Sequence, residues 1–212
     1  MDFQDFLQCI PKLELEMLPG EAAHFMMVPP ERADIMKSLD IETINPKKAA
    51  VMMLFYPRNE KTNIVLILRN SYNGVHSSQI AFPGGKVEDH DASLMHTALR
   101  ETEEEIGIPS DKITVIRPFS QVYIPPSNFM VSPFLGYSNE TLIFKPDPNE
   151  VAGIIEFPIE HFLDETIVVN RKMDTAYSKS IDVPAFKIYD HYVWGATAMM
   201  LSELKETLKK VL

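Results

Sequence analysis

The chain has 212 residues, enough for one sizeable domain with an extensive core, and its hydrophobic (45%) and charged (24%) fractions are ordinary for a globular protein. Its formal net charge of -10 argues against loose, sequence-independent binding to nucleic acid or to an anionic membrane. Cys9 is the only cysteine, the N-terminus is acidic and no apolar run approaches a membrane span, so we predict a cytoplasmic protein without an intrachain disulfide.

Prolines and apolar patterns divide the first third of the chain. We predict a short helix broken by Pro11 over residues 1–17. Residues 18–45 are predicted to form an irregular segment that leads to the core. Two strands follow, over residues 49–56 and 63–69, because both runs are apolar and a turn-like segment joins them.

Strands before and after a lone central helix characterise the rest of the chain. That helix is predicted over residues 91–106, with Asp91 as its cap and Gly107 at its end. Further strands are predicted over 113–124, 129–138, 151–158, 166–172 and 182–189, and further helices over 159–165 and 194–211. The order predicts an α+β fold, an α/β/α sandwich with a mixed β-sheet, in which an N-terminal extension (1–45) packs on a core domain (46–212).

The central helix carries a cluster of glutamates. At helical spacing Glu101, Glu104 and Glu105 share an arc of about 100°, whereas Glu103 points away. Like charges this close repel one another, so the cluster is either a solvated acidic face or a cation site. Carboxylates suit a hard divalent cation, and a tight turn before the helix offers the Gly85 carbonyl as a further oxygen ligand. We predict a metal site here, on a face separate from the packed face formed by Met95, Leu99, Thr102 and Ile106.

These residues together resemble the Nudix box, the signature of hydrolases that act on nucleoside diphosphates linked to another group. The matching positions are Gly85, Arg100-Glu101, Glu104-Glu105 and Gly107-Ile108. Fourteen residues separate Gly85 from Arg100, one more than in the usual box, and Thr102 replaces the usual aliphatic residue. The resemblance implies a Nudix fold and Mg²⁺ or Mn²⁺ ions held by the Gly85 carbonyl, Glu101, Glu104 and Glu105.

The wider chain, from about residue 18 to its end, resembles the coenzyme A pyrophosphatase branch of this family. The similar segments include LILR (66–69), HSSQIAFPGGK (76–86), IPPSNFMVSPFLGY (124–137) and VWGATAMMLSEL (193–204). In this branch an upstream motif is linked to coenzyme A recognition, and Arg69 and the FPGG end (82–85) match it. Gly74, however, stands near where a second arginine is common, and Ser78 where a glycine is usual. The resemblance implies hydrolysis of coenzyme A or acyl-coenzyme A to 4′-phosphopantetheine and adenosine 3′,5′-bisphosphate.

The resemblance also implies roles for single residues. Glu101, Glu104 and Arg100 form the expected catalytic set, and Arg100 is spaced to pair with Glu104. Glu150 is the candidate base or additional metal ligand, with a surface glutamate as the alternative. The candidate phosphate contacts are Arg69, His76 and Lys86. The alternative for His76 is a structural histidine near a turn, and the alternative for Arg69 and Lys86 is a solvated surface cation.

Two other functions stay open from the sequence. One is a Nudix hydrolase of another nucleotide, such as ADP-ribose, a nucleotide sugar or a nucleoside triphosphate. The other is a catalytically silent Nudix fold that senses a ligand. In each case we expect a small nucleotide as the partner, neither nucleic acid nor a membrane, and the oligomeric state is left open between a monomer and a homodimer.

Overall fold

The computed structural model describes residues 1–70, 79–173 and 180–212 and is built around a mixed β-sheet. The helices are α1 (Phe3–Leu15), α2 (Glu21–Phe25), α3 (Pro30–Lys37), α4 (Ile41–Ile44), α5 (Leu94–Ile106), α6 (Ile159–Leu163) and α7 (Gly195–Val211). The strands are β1 (Lys47–Arg58), β2 (Lys61–Arg69), β3 (Ile80–Ala81), β4 (Gly84–Lys86), β5 (Thr114–Pro118), β6 (Val122–Ile124), β7 (Phe129–Tyr137), β8 (Val151–Pro158), β9 (Val168–Met173), β10 (Ile181–Ile188) and β11 (His191–Val193). Among the helices of these residues, none combines the length and the apolar character that spanning a bilayer requires.

The large sheet is mixed because its two central strands run parallel. β1 pairs with β7 in parallel, and the other strand pairs are antiparallel. The strand order is β3-β2-β1-β7-β5, with β4 also paired to β1, β6 to β7 and β8 to β2. β9, β10 and β11 form a second, antiparallel sheet. Helices combined with this mixed sheet confirm the predicted α+β fold.

Alternating residues of β1 show which helices cover each face of the large sheet. Met53 belongs to a buried cluster with Phe6 of α1 and Leu204 of α7, whereas the adjacent Met52 belongs to a second cluster with Ala98 of α5. Since neighbouring side chains of a strand point to opposite faces, α5 covers one face and α1 and α7 cover the other. The layers are those of the predicted α/β/α sandwich.

The first 45 residues differ from the prediction. α1 continues through Pro11 to Leu15, although a proline inside a helix removes one backbone hydrogen bond. Phe6 and Leu13 lie on either side of Pro11 and are fully buried, so packing on the core holds the helix together across the missing bond. Residues 18–45 contain three short helices rather than an irregular approach. The division at residue 45 stays a prediction.

The predicted strand over residues 113–124 is also wrong in detail. It is two strands, β5 and β6, which both pair with β7. Pro118 ends β5 because it has no N–H to donate, and the chain resumes pairing at Val122. Strands β3, β4 and β11 were not predicted, since two or three residues are too few to show an alternating pattern.

Candidate active site

Strand β4 places a glycine pair beside the central helix. The segment that predicted a tight turn is instead a short strand, in which Gly85 pairs with Ala50 of β1. Gly84 has a φ of 151°, and a Cβ at this position would overlap the Ala50 carbonyl oxygen. Only glycine therefore allows the chain to approach β1 this closely.

Helix α5 begins three residues later than predicted. The Ser93 side chain caps it by accepting from the His96 N–H at 3.1 Å. Asp91 does not cap the helix; it accepts from Arg100 Nε at 2.9 Å and from Arg100 Nη2 at 3.0 Å. These bonds from Arg100 hold the pKa of Asp91 well below its usual range. Asp91 is therefore a fixed anion that orients the arginine.

Arg100 connects β4 to two of the three glutamates that are predicted metal ligands. Its Nη1 donates to Glu101 at 3.0 Å and to Glu104 at 2.8 Å, and its Nη2 donates to the Lys86 carbonyl at 3.1 Å. The pairing with Glu104 is the one that the i,i+4 spacing predicts. Arg100 is thus a positioning residue, because it fixes two carboxylates next to the glycine strand.

Glu105 lies inside the protein. Its side chain is 1% exposed and accepts from the Gly84 N–H at 2.8 Å and from Arg69 at 3.0 Å. Burial raises the pKa of Glu105 to about 7, although Arg69 and the Gly84 N–H favour its charged form. Arg69, a predicted phosphate contact, is thereby engaged with a carboxylate.

The predicted faces of α5 are wrong for Glu105 and Met95. Thr102 and Ile106 are fully buried as expected, but Glu105 is buried between them and Met95 is 43% exposed. The packed face tolerates a carboxylate because Gly84 and Arg69 supply its hydrogen bonds. A helical projection cannot show this, since both partners come from other strands.

Glu101 lies against the backbone of β4. A Cβ added to Gly85 would stand 2.5 Å from the Glu101 carboxylate, so the glycine makes room for this side chain. Burial raises the pKa of Glu101 above its ordinary value, and the charge of Arg100 offsets part of that effect. The Glu101 carboxylate and the Gly85 backbone therefore share one small space.

The remaining predicted site residues have different positions. Glu150 precedes β8, where its backbone carbonyl accepts from the Asn70 N–H at 2.8 Å, and its side chain is exposed. Its negative charge adds to burial in raising the pKa of Glu101 and Glu105, so Glu150 is near enough to both carboxylates to interact electrostatically. Lys86 is exposed at the end of β4. His76 lies outside the described residues, as do Gly74 and Ser78 of the upstream motif.

The donor chemistry of this cluster fits a hard divalent cation. Carboxylates beside a glycine backbone are the oxygen ligands that Mg²⁺ and Mn²⁺ take. Within the ranges that the structure describes, no three His, Cys, Asp or Glu side chains yet form a group that could hold an ion. In this structure Glu104 accepts from Arg100, and Glu105 accepts from Arg69 and from the Gly84 N–H.

A cavity of about 720 Å³ adjoins the glycine strand. Its walls come from the N-terminal extension, β1, β4, the 123–131 region and the start of α7, and most of the lining is apolar. Three cations line it, Arg32, Arg69 and Lys86, and no Asp, Glu or His of the described residues does. The sequence analysis missed Arg32. Its helix could have been predicted from Pro30 and the charges at its two ends, but no local signal places that helix on the cavity.

Comparison with known proteins identifies the family. The NUDIX domain matches residues 46–177. The uncharacterized Nudix hydrolase NudL of Citrobacter koseri is 34% identical over 170 residues, which cover 77% of this chain and 83% of that protein. NudL of Salmonella paratyphi B is 33% identical over 168 residues, with the same shares covered.

Solved structures show the same fold. The Nudix hydrolase RenU of M. smegmatis superposes with a TM-score of 0.53 at 18% identity, covering 79% of this chain and 88% of that one. The C. elegans Ap4A hydrolase in a binary complex gives a TM-score of 0.51 at 17% identity, covering 77% and 98%. Together with the glycine strand and the Arg100 network, these matches establish that the chain belongs to the Nudix family, whose hydrolases split phosphorus anhydrides of nucleoside diphosphate derivatives.

Proposed function

We propose that this Nudix hydrolase cleaves the pyrophosphate bond of coenzyme A or acyl-coenzyme A, giving 4′-phosphopantetheine and adenosine 3′,5′-bisphosphate. The observation that carries the proposal is the cavity beside β4, which is large and mainly apolar and whose described lining includes Arg32, Arg69 and Lys86. Coenzyme A has the matching parts: a pyrophosphate to be cleaved, a further phosphate on the ribose and a long arm without charge.

The apolar part of the lining suits the pantetheine arm and an attached acyl chain. It includes Met27 and Val28 of the N-terminal extension and Met199 and Met200 of α7. Methionine side chains are flexible and adapt to irregular apolar ligands. The sugar of ADP-ribose or of a nucleotide sugar carries several hydroxyl groups, and burying these without hydrogen-bond partners costs free energy. The methyl and methylene groups of the coenzyme A arm, and an attached acyl chain, can pack against this apolar lining, which supports the proposal.

The cations of the lining suit the phosphates. The protein as a whole carries a formal charge of -10, yet the described lining holds Arg32, Arg69 and Lys86 and no acidic side chain. Cationic side chains in the lining attract an anionic substrate, although Arg69 is already paired with Glu105. Lys86 follows Gly85 directly, so it is the cation that we assign to the pyrophosphate next to the carboxylate cluster.

The carboxylate cluster would hold Mg²⁺ or Mn²⁺ through Glu101, Glu104, Glu105 and the Gly85 carbonyl. When bound, such an ion neutralises the diphosphate charge and lowers the pKa of a water. Arg100 keeps Glu101 and Glu104 on the β4 side of the helix, as its two hydrogen bonds show. Glu104 is 57% exposed and can accept a proton from the attacking water. Glu150 is the alternative base because it is exposed and its charge acts on Glu101 and Glu105.

A substrate panel tests the proposal. Purified protein with Mg²⁺ is incubated with coenzyme A, a medium-chain acyl-coenzyme A, ADP-ribose, a nucleotide sugar and a nucleoside triphosphate, and products are quantified by chromatography. We expect adenosine 3′,5′-bisphosphate from the first two at a higher kcat/KM than any product from the others. Faster cleavage of ADP-ribose or the nucleotide sugar would reject the coenzyme A assignment. If the protein cleaves none of these compounds, with Mg²⁺ or with Mn²⁺, the result would favour a silent ligand sensor.

A further inference from the structure

We infer that Glu203 of α7 is a positioning residue for the substrate, because its hydrogen bonds hold three walls of the cavity beside β4 together. This role rests on the proposed function and adds a specificity-determining residue to it. Glu203 does not line the cavity and lies beyond the matched NUDIX domain, residues 46–177, so it acts through the lining residues that it holds.

The Glu203 carboxylate is fully buried and has four hydrogen-bond partners. Its Oε1 accepts from the Gly20 N–H at 3.1 Å and from the Ser120 hydroxyl at 2.5 Å. Its Oε2 accepts from the Ser120 N–H at 3.1 Å and lies 3.2 Å from His24 Nε2. An ionised carboxylate can only accept, so His24 Nε2 carries the hydrogen of this bond. A buried carboxylate depends on such donors, and these tie α7 to two other segments of the chain.

The first wall is on α7 itself. Met199 and Met200 line the cavity, and they precede Glu203 by four and three residues. Residues at these intervals share one side of a helix. A shift of α7 at Glu203 would therefore move both methionines.

The second wall belongs to the N-terminal extension. His24 is part of α2, and its backbone carbonyl accepts from the Met27 N–H at 3.0 Å. Met27 and the following Val28 are buried and line the cavity. Since Met27 follows His24 by only three residues, the bond between Glu203 and His24 anchors the part of the extension that reaches the cavity.

The third wall is the 123–131 region. Ser120 lies between β5 and β6, three residues before Tyr123, which lines the cavity. The Tyr123 hydroxyl donates to Asn128 Oδ1 at 3.1 Å, so the start of this region is tied to the loop that follows it. Because Ser120 donates to Glu203 through both its N–H and its hydroxyl, the entry to the third wall is fixed at two points.

The carboxylate cluster lies apart from these bonds. Its glutamates belong to α5, which covers the opposite face of the large sheet from α7. The walls that Glu203 holds instead carry the four residues assigned above to the pantetheine arm, Met27, Val28, Met199 and Met200. Replacement of Glu203 should therefore weaken binding of the arm and leave the chemistry at the pyrophosphate unchanged.

Steady-state kinetics on coenzyme A test this role. Glutamine has the size of glutamate, but its NH2 group cannot accept the two bonds that a carboxylate oxygen accepts. We expect KM to rise about tenfold in Glu203→Gln with kcat nearly unchanged, since one hydrogen bond is worth up to about tenfold in affinity. Ser120→Ala removes only the hydroxyl bond and should raise KM about threefold. Glu206→Gln is the matched control on the same helix, because its carboxylate pairs with Lys209 outside this network, and it should resemble wild type.

Calorimetry with the two expected products separates positioning from a general loss of structure. 4′-Phosphopantetheine carries the arm, and adenosine 3′,5′-bisphosphate does not. Below the melting temperature of each variant, Kd for 4′-phosphopantetheine should rise about tenfold in Glu203→Gln, and Kd for the bisphosphate should change less than about twofold. If Glu203→Gln does not fold, the same comparison is made with Ser120→Ala, in which Kd for 4′-phosphopantetheine should rise about threefold.

An unchanged KM, a fall in kcat alone or an equal weakening of both products overturns the role of Glu203 while the proposed function stands. If wild type does not cleave coenzyme A, the proposed function fails, and the binding of the two products still decides the role of Glu203. Selective weakening of 4′-phosphopantetheine then supports that role, and absence of binding to wild type overturns it.

Discussion

The guanidinium of Arg69, at the end of β2, lies 3.0 Å from the Glu105 carboxylate of α5. This pair joins the sheet to the central helix, and Glu105 is 1% exposed while Arg69 is 22% exposed. The Gly84 N–H provides a further hydrogen bond to the same carboxylate. Glu105 is therefore held by two strands before any metal binds.

We expect Arg69→Met to lower the free energy of unfolding by about 1–3 kcal/mol, because it leaves a buried acceptor without one of its partners. Urea denaturation in the presence of a chelator measures the change. The control is the double variant Arg69→Met/Glu105→Gln, compared with each single variant. Without the Glu105 charge, the loss of Arg69 should cost little further unfolding free energy. The two losses should then be less than additive; strictly additive losses would show that the pair is not coupled.

Gly85 provides a sharper test of the active-site geometry. A methyl group here would stand 2.5 Å from the Glu101 carboxylate, so Gly85→Ala should displace that carboxylate and reduce turnover by at least about a hundredfold. Gly153→Ala is the matched control, because its new methyl group would meet only the Leu68 Cβ at 3.9 Å. Turnover and melting temperature are measured for both. Near-normal turnover in Gly85→Ala would disprove the close packing of Glu101 against β4.

Glu104 and Glu103 are neighbours in the sequence, but we expect their replacement to affect activity differently. Glu104→Gln should keep the fold and lower kcat by about a hundredfold or more, because it removes a carboxylate that acts on the water or the metal. Glu103 instead accepts from the Ser110 N–H at 3.2 Å, so Glu103→Gln should retain activity. Steady-state kinetics at saturating Mg²⁺ compare the two. Equal losses in both variants would contradict the assignment of Glu104 to the site.

The features of this site that the sequence could predict are those that depend on residues a few positions apart on one helix. The pairing of Arg100 with Glu104 follows from their separation of four residues, and the outward direction of Glu103 follows from helical geometry. The burial of Glu105 was not predictable, because its partners Gly84 and Arg69 lie on other elements.

The cavity was beyond sequence reasoning for the same physical reason. Its walls combine Met27 and Arg32 near the N-terminus with Met199 near the C-terminus, and no periodic pattern links residues so far apart. The layers of the fold were predictable because long apolar strands and amphipathic helices carry strong periodic signals. Short strands such as β4 do not, although β4 contacts Glu101 and Glu105 of the carboxylate cluster.

Buried Glu203 of α7 fixes the N-terminal extension to the core, and it predicts how stability depends on pH. Its carboxylate is fully buried and accepts from the Gly20 N–H at 3.1 Å and from the Ser120 N–H at 3.1 Å. It also accepts from the Ser120 hydroxyl at 2.5 Å and lies 3.2 Å from His24 Nε2. Burial favours the neutral acid, but the bonds from His24 and Ser120 outweigh it, so the pKa of Glu203 lies below its ordinary value of 4.5.

A carboxylate with a depressed pKa in the folded state stabilises the protein above its unfolded pKa, and the contribution is lost as the pH falls through the folded value. Glu203→Gln should therefore be less stable than wild type near neutral pH, and the difference should shrink as the pH falls below about 4.5. The control is Glu206→Gln on the same helix, whose carboxylate pairs with Lys209 at the surface and should show a small difference at every pH. Urea denaturation from about pH 7 to pH 3 measures all three proteins. The stability difference between wild type and Glu203→Gln could instead stay constant over this range. That result would show that the ionised carboxylate does not hold the extension in place.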